Sequence, residues 1–134
     1  MEIRKAKKED IEGILQLQKS YNEKYWKKED FEKSIKNKDA IFFIAEENDK
    51  IVGSVIGFIT PTKRTDSILH ETRVNKKEKG NGIGTKLVNE FCKESFKIGA
   101  KDVYALISKK HIPFYVKSCK FKKESNWIEI KKSK

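Results

Sequence analysis

The sequence predicts a fold of the α/β (α+β) class, in which a mixed, mostly antiparallel sheet of about seven strands is flanked by about four helices. Three apolar, β-branched runs follow one another between residues 41 and 74, as in an antiparallel meander. A long amphipathic pattern starts at residue 82 or 83 and continues to about residue 96. A further apolar run at 103–107 completes a strand–helix–strand crossover, which favours parallel placement of its two strands.

The N-terminal part is predicted to form one strand and two helices. Residues 2–6 read as a short strand with Ile3 pointing inward. Acidic residues then favour a helix start, because they lie near the positive end of the helix dipole, and apolar side chains at three- to four-residue spacing continue this helix to about Lys19. A polar and aromatic connector at 21–28 precedes a second short helix that runs from Asp30 to about Asn37.

The remaining elements follow from apolar runs and from glycine and proline positions. Gly53 and Gly57 lie inside the second meander strand, where glycine often marks a bulge or a close backbone approach. Gly99 is the expected C-cap of the long helix. In order, the predicted elements are strands at 41–45, 51–59 and 67–74, the long helix, a strand at 103–107, a short helix at 112–118, and closing antiparallel strands at Phe121 and at 127–130. We see no repeat or domain boundary, and expect residues 1–134 to form a single domain.

Composition narrows the classes of function. The formal net charge of the 134 residues is +11, almost all of it from lysine spread over every segment. Such a charge attracts anions, but no zinc-finger spacing or aromatic RNA-binding platform accompanies it, so a nucleic-acid partner is not expected. No apolar run approaches the roughly 18–20 residues that span a bilayer, and residues 1–5 do not resemble a signal peptide. With Cys92 and Cys119 far apart in sequence, we expect a reduced cytoplasmic protein without a metal site or a membrane.

A glycine-rich turn joins the third meander strand to the long helix. Gly80, Gly82 and Gly84 occupy alternate positions there. Glycine allows a positive φ and removes the Cβ that would keep a ligand away from the backbone. The start of a helix leaves about four N–H groups without intrahelical partners and carries partial positive charge. The turn therefore favours a phosphate or pyrophosphate bound by backbone amides.

Two other phosphate-binding motifs fit the turn less well. A P-loop requires Gly-Lys-[Ser/Thr] at its end, whereas Gly84 is followed by Thr85 and Lys86. A dinucleotide fingerprint requires Gly-x-Gly-x-x-Gly after a first strand, and the spacing here is one residue shorter and lies in the middle of the chain. A helix start that binds no ligand also remains open.

The turn resembles the acyl-CoA-binding motif of the GNAT family of N-acetyltransferases, [Arg/Gln]-x-x-Gly-x-[Gly/Ala], with Lys79 at the Arg or Gln position. The predicted order of elements, β-α-α-β-β-β-α-β-α-β-β, is similar to the GNAT fold over essentially the whole chain. Phe114-Tyr115 followed by Phe121 resembles the closing Phe-Tyr-x-x-x-Gly-Phe element, with one additional residue and with Lys120 in place of glycine. Aligning on Phe121 without a gap would instead place Val116 at the tyrosine position.

The resemblance implies an enzyme that transfers an acetyl group from acetyl-CoA to a primary amine by direct attack on the thioester, without a metal. It also implies that strands 4 and 5 splay apart and hold the pantetheine arm between them. The backbone of the fourth strand would bind the pantetheine amides, and the turn would bind the pyrophosphate. These expected CoA-binding residues are Thr72, Arg73, Val74, Lys79, Gly80, Asn81, Gly82, Ile83, Gly84 and Thr85.

The resemblance also suggests catalytic groups. Tyr115 is the expected general acid for the leaving thiolate, and Glu71 is the candidate general base, with His70 and His111 as alternatives. The acceptor would be a small molecule or a protein, and the enzyme a monomer or a homodimer. Four aromatic residues are candidates for lining the acceptor pocket or the core: Tyr21, Tyr25, Trp26 and Phe31. A CoA-binding module without turnover and a basic nucleic-acid-binding protein are the alternative functions.

Overall fold

Five strands form a single sheet in the computed structural model, which describes residues 1–21, 26–60, 66–124 and 128–134. The strand order in space equals the order along the chain. The strands are β1 (Glu2–Lys5), β2 (Ala40–Glu47), β3 (Lys50–Ile59), β4 (Asp66–Val74) and β5 (Asp102–Ala105). β1 to β4 are antiparallel neighbours, and β5 lies parallel to β4, as the strand–helix–strand pattern predicts.

Helices cover both faces of this sheet. The α-helices are α1 (Ile11–Lys19), α2 (Lys28–Lys36) and α3 (Ile83–Ile98), and a π-helical segment spans Pro113–Ser118. Short 3₁₀ turns lie at Lys8–Asp10, Lys76–Glu78 and Lys109–His111. α1 and α2 pack on one face through a cluster that includes Ile14, Phe31 and Ile56. α3 packs on the other face, which we call the α3 face, through Leu87 and Phe91. Among the described residues, no helix is long and apolar enough to cross a membrane.

Glycine in β3 sets the distance between α3 and the sheet. A Cβ added at Gly57 would lie 2.2 Å from the carbonyl oxygen of Ile68 and 2.5 Å from Cζ of Phe91. Neither atom can easily move away, because one belongs to the β4 backbone and the Phe91 ring is fully buried. The close approach that glycine within a strand predicts is thus present, and it lets the Phe91 ring of α3 pack directly on the β3 backbone.

A paired arginine connects β1 to the start of α1. Arg4 donates through Nη1 and Nη2 to the two carboxylate oxygens of Asp10, at 2.8 and 2.9 Å. Asp10 Oδ2 also accepts a hydrogen bond from the backbone N–H of Lys7 at 2.7 Å. The hydrogen bond from Arg4 is the main reason that the pKa of Asp10 is lowered from its ordinary value.

The prediction of about seven strands is wrong, because the described residues form five strands and neither closing strand appears among them. Phe121 lies outside any strand; its backbone N–H donates to the carbonyl of Tyr115 at 2.9 Å, and its ring packs on the core. Ile128 and Ile130 are 87% and 90% exposed, so the alternating apolar side chains of the predicted strand do not pack on the core. Trp127, the first residue of the second predicted strand, lies outside the described residues.

Candidate active site

The pairing between β4 and β5 covers only the first part of β4. It joins Asp66 to Asp102 and ends where Leu69 pairs with Ala105. β4 continues to Val74, five residues beyond this last pair, which is about 16 Å of strand at 3.3 Å per residue. Within the described part of the chain, no strand pairs with this edge of β4. We call the space beside this unpaired edge of β4, past the last β4–β5 pair, the slot.

A β-bulge lies where the slot begins. The β3–β4 register pairs Ile56 with Glu71 and Gly57 with Leu69, so His70 is the additional residue. A bulge bends its strand and increases the local twist. The bulge thus lies directly after the last β4–β5 pair, where the unpaired part of β4 begins.

The alternation of the ladder shows which backbone groups of β4 face the slot. The N–H of Asn75 donates to the carbonyl of Val52 on β3 at 2.8 Å. In a regular antiparallel ladder, every second residue points its peptide groups at the same neighbour, so Arg73 also points to β3. Thr72 and Val74 point away from β3, into the slot. Of the three β4 residues expected to bind pantetheine, these two have suitably directed backbone groups.

The start of α3 presents unsatisfied amides beside the slot. Gly82 is the N-cap in the left-handed region, with φ 77°, and no side chain caps the helix. Gly80 also has a positive φ of 93°, and a Cβ at either glycine would meet nothing within 4 Å. Within the described ranges, the backbone N–H groups of residues 80–85 have no protein acceptor, whereas the N–H of Lys79 bonds Lys76 at 3.5 Å. The open space at the two glycines and the amides at the start of α3 without an acceptor in the described part of the chain thus fit a pyrophosphate.

Gly84 has a different role from the two glycines before it. A Cβ there would lie 3.1 Å from Cζ of Phe114, so this glycine lets the π-helical segment pack on the first turn of α3. That contact brings Tyr115 beside β4. Lys120, at the position where the resembled motif has glycine, adopts a positive φ of 64°, which explains why glycine suits that position.

Tyr115 reaches the edge of the slot. Its hydroxyl donates to Thr72 Oγ1 at 3.1 Å, and its ring lies edge-on to Phe114 and Phe121. Burial raises the pKa of the Tyr115 phenol above its usual value, and the hydrogen bond with Thr72 opposes this only in part. Tyr115 is therefore a protonated donor at neutral pH, while Val116 is only half-buried next to it.

The candidate bases lie on the opposite face of β4. Glu71 pairs in register with Ile56 of the α1–α2 cluster, and its Oε1 accepts from Arg73 Nη2 at 2.6 Å. His70 is exposed, and its ring is edge-on to Trp26 at 5.4 Å. The bulge thus directs two consecutive side chains of β4 to this side, which we call the α1–α2 face. His111, the other alternative, is exposed in the 3₁₀ turn at Lys109–His111.

The aromatic candidates for the acceptor pocket separate into different environments. Phe31 is a core residue, 2% exposed, and stacks on Trp26 at 5.5 Å. Trp26 is half-buried on the α1–α2 face. The Tyr21 hydroxyl donates to the backbone carbonyl of Val74, one of the carbonyls directed into the slot. Tyr25 lies outside the described residues.

The two thiols belong to the core on the α3 face. Burial raises the pKa of Cys92 to about 11, and it also raises the pKa of Cys119, against a hydrogen bond with the Thr85 side chain. A thiol with a raised pKa is a poor nucleophile at neutral pH. Within the ranges that the structure describes, no group of three or more His, Cys, Asp or Glu side chains could hold a metal ion.

Three polar contacts of this site were not predicted from the sequence. They are the Tyr115–Thr72 hydrogen bond, the Tyr21–Val74 hydrogen bond and the Glu71–Arg73 ion pair. Only the ion pair has a signal in the sequence, because residues two apart on a strand share a face and opposite charges there can pair. The other two join residues 43 and 53 positions apart in the chain, and no local pattern indicates them.

Comparisons with known proteins agree with this geometry. The family model for the acetyltransferase (GNAT) family matches residues 11–121, and no curated protein matches the chain. A provisionally assigned acetyltransferase from Agrobacterium tumefaciens str. C58 is 19% identical, with a TM-score of 0.85 over 98% of this chain and 100% of that one. Glucosamine-6-phosphate N-acetyltransferase from Arabidopsis thaliana is 20% identical, with a TM-score of 0.83 over 98% and 97%. An aminoglycoside N-acetyltransferase solved in complex with CoA is 16% identical, with a TM-score of 0.82 over 98% and 99%.

Proposed function

Because the chain belongs to the GNAT acetyltransferase family, we propose that it transfers an acetyl group from acetyl-CoA to a primary amine of a small molecule or a protein. The family uses acetyl-CoA, and its members are acetyltransferases, which supports acyl transfer to an amine in general. The observation that carries the proposal is the slot beside β4, which opens next to uncapped amides at the start of α3.

The proposed donor site has two parts. Backbone groups of Thr72 and the N–H of Val74 would hydrogen-bond the pantetheine arm like an added strand, because they point into the slot, whereas the Val74 carbonyl already accepts from the Tyr21 hydroxyl. The amides of residues 80–85 would bind the pyrophosphate, since they have no acceptor among the described residues, lie at the positive end of the α3 dipole and have open space at Gly80 and Gly82. Arg73, with its peptide groups directed to β3, would act through its side chain on the α1–α2 face.

The side chains around the slot fit the proton movements of acyl transfer. When bound, acetyl-CoA supplies an activated thioester with a thiolate leaving group. Tyr115, protonated and beside Thr72, would donate the proton that the thiolate requires. On the α1–α2 face, Glu71 would accept the proton of the amine through water, with His70 as the alternative base. Comparing the pH–rate profiles of Glu71→Gln and His70→Gln identifies the base, because its loss removes the acidic limb.

The experiment that tests this function combines CoA binding with turnover. Release of the CoA thiol from acetyl-CoA is measured with each of a panel of primary amines as the acceptor. The affinity for CoA is measured separately by calorimetry. Gly82→Ala should raise the KM for acetyl-CoA, because a Cβ at φ 77° both strains the turn and occupies the open space. Gly99→Ala is a matched control, since Gly99 also has a positive φ, with nothing within 4 Å, but lies at the other end of α3.

The outcomes separate the alternatives. Turnover on at least one amine, with a higher KM for acetyl-CoA in Gly82→Ala only, supports the proposed function. Tight CoA binding without turnover on any amine would assign the chain to the class of CoA-binding modules. Absence of both binding and turnover would contradict the proposed donor site.

A further inference from the structure

Three cationic side chains surround the ring of Tyr21. The Cζ atom of Arg73 lies 5.5 Å from the ring centroid, and the Nζ atoms of Lys76 and Lys79 each lie 5.2 Å from it. Arg73 is buried, whereas both lysines are exposed. The hydrogen bond from the Tyr21 hydroxyl to Val74 holds the ring at the end of β4. We call Arg73, Lys76 and Lys79 the Tyr21 cation cluster.

Counted over the described residues alone, the cluster has more positive than negative charge. Glu71 pairs with Arg73, but no carboxylate of the described residues pairs with Lys76 or Lys79. The face of an aromatic ring attracts each cation, yet like charges that share one ring also repel each other. An anion bound among them would relieve this repulsion and would be held by charge-assisted hydrogen bonds.

The position of the cluster relates it to the amine acceptor. The Arg73 side chain lies on the same face of β4 as Glu71, the proposed base, and its Nη2 donates to Glu71 Oε1 at 2.6 Å. Tyr115 lies on the other face, with α3. The cluster is therefore beside the place where the amine would be deprotonated.

We propose that the Tyr21 cation cluster binds a phosphate or carboxylate group of the acceptor, so that the substrate is an amine that also carries an anionic group. This inference rests on the proposed function. It assigns the cluster a role in selectivity, because the same charges that hold an anionic acceptor repel a polycationic one. The phosphates of CoA are the other source of an anion, and the experiment separates the two.

The test uses pairs of amines that differ in the anionic group. The pairs are glucosamine 6-phosphate with glucosamine, phosphoethanolamine with ethanolamine, and 6-aminohexanoate with hexylamine. For each compound, kcat/KM is measured in the parent, in Lys76→Gln and in Lys77→Gln, together with the KM for acetyl-CoA. Lys77 is the matched control, because it is the neighbouring exposed lysine and does not contact the Tyr21 ring.

The parent should prefer the anionic member of at least one pair by about tenfold or more. Lys76→Gln should lower that preference about fivefold, a change typical of one charge near the surface, while the KM for acetyl-CoA stays the same. Lys77→Gln should change neither quantity.

Several results would overturn the proposal. One is equal use of both members in every pair, and another is an equal loss of preference in Lys77→Gln, which would indicate diffuse charge. An increase in the KM for acetyl-CoA in Lys76→Gln with all acceptors would assign the cluster to the phosphates of CoA. If no amine is acetylated, the proposed function fails, but calorimetry with the three anionic amines still tests the subsite. Binding that weakens in Lys76→Gln would support the subsite, and absence of binding would overturn it.

Discussion

Replacing Tyr115 by phenylalanine removes one hydroxyl and leaves the aromatic packing unchanged. The ring is held edge-on between Phe114 and Phe121, and these contacts do not need the hydroxyl. The lost group is the donor of the 3.1 Å hydrogen bond to Thr72. Its removal therefore separates a role in proton transfer from a role in the core.

The two roles predict effects of different size. A neutral hydrogen bond of this kind contributes about 1 kcal/mol to the free energy of unfolding. Loss of a general acid lowers kcat by about 10²- to 10⁴-fold, or about 3–5 kcal/mol of transition-state stabilisation. For Tyr115→Phe we expect the large loss in kcat, the small loss in stability, and little change in the KM for acetyl-CoA.

The pH dependence provides a second measurement of the same group. Because burial raises the pKa of Tyr115 above its ordinary value of 10.0, the phenol stays protonated through the neutral range. Its contribution to stability is complete below about pH 10 and is lost as the pH rises through the pKa of the folded state. Titration of Tyr115 should therefore cause no fall in kcat between about pH 6 and pH 9.

Thr72→Val is the matched control, because it removes the same hydrogen bond from the acceptor side and keeps the phenol. We expect a similar loss of stability, measured by denaturant unfolding, and a change in kcat within about tenfold, measured by thiol release. Equal losses of kcat in Tyr115→Phe and Thr72→Val would refute the assignment of Tyr115 as the acid. Unchanged turnover in Tyr115→Phe would refute it as well.

Three further predictions concern stability and thiol chemistry. Gly57→Ala should destabilise the fold by more than about 2 kcal/mol in denaturant unfolding, because the added Cβ meets backbone and the buried Phe91 ring; a smaller loss would contradict the close packing. Asp10→Asn should cost about 1–3 kcal/mol at pH 7 by weakening the bonds from Arg4, and the parent should lose the same contribution below about pH 4, since the pKa of Asp10 is lowered on folding. Cys92, with a pKa of about 11, should react with iodoacetamide at pH 8 much more slowly in the folded protein than in denaturant, and equal rates would contradict its burial.

The elements that the sequence predicts correctly depend on local patterns. The β-branched runs identify β2, β3 and β4, and the amphipathic period identifies α3 and its C-cap at Gly99. The parallel placement of β5 follows from the handedness and length of a crossover connection. Each of these patterns lies within one element or within one strand–helix–strand connection, so the local sequence was sufficient to predict the structure.

The parts that the sequence did not predict depend on partners distant in the chain. Ile128 and Ile130 alternate as in a strand, but a strand also requires a neighbour and a surface to cover. Gly84 could not be distinguished from Gly80, because its packing on Phe114 arises only in the folded protein. The bulge at His70 shows the same limit, since a register shift is a property of two strands together.

Main-chain groups supply the proposed donor-binding contacts of the slot beside β4 and of the turn before α3. The side chain of Asn81 in this turn is exposed and donates to Glu78 at 3.4 Å, so substituting it should leave the peptide geometry of the turn intact. A cleft of this composition can persist through extensive divergence, consistent with folds that superpose closely at 16–20% identity. The α1–α2 face, by contrast, is built from side chains such as Arg73 and Trp26, so new substrate preferences can evolve there without disturbing the opposite half of the molecule.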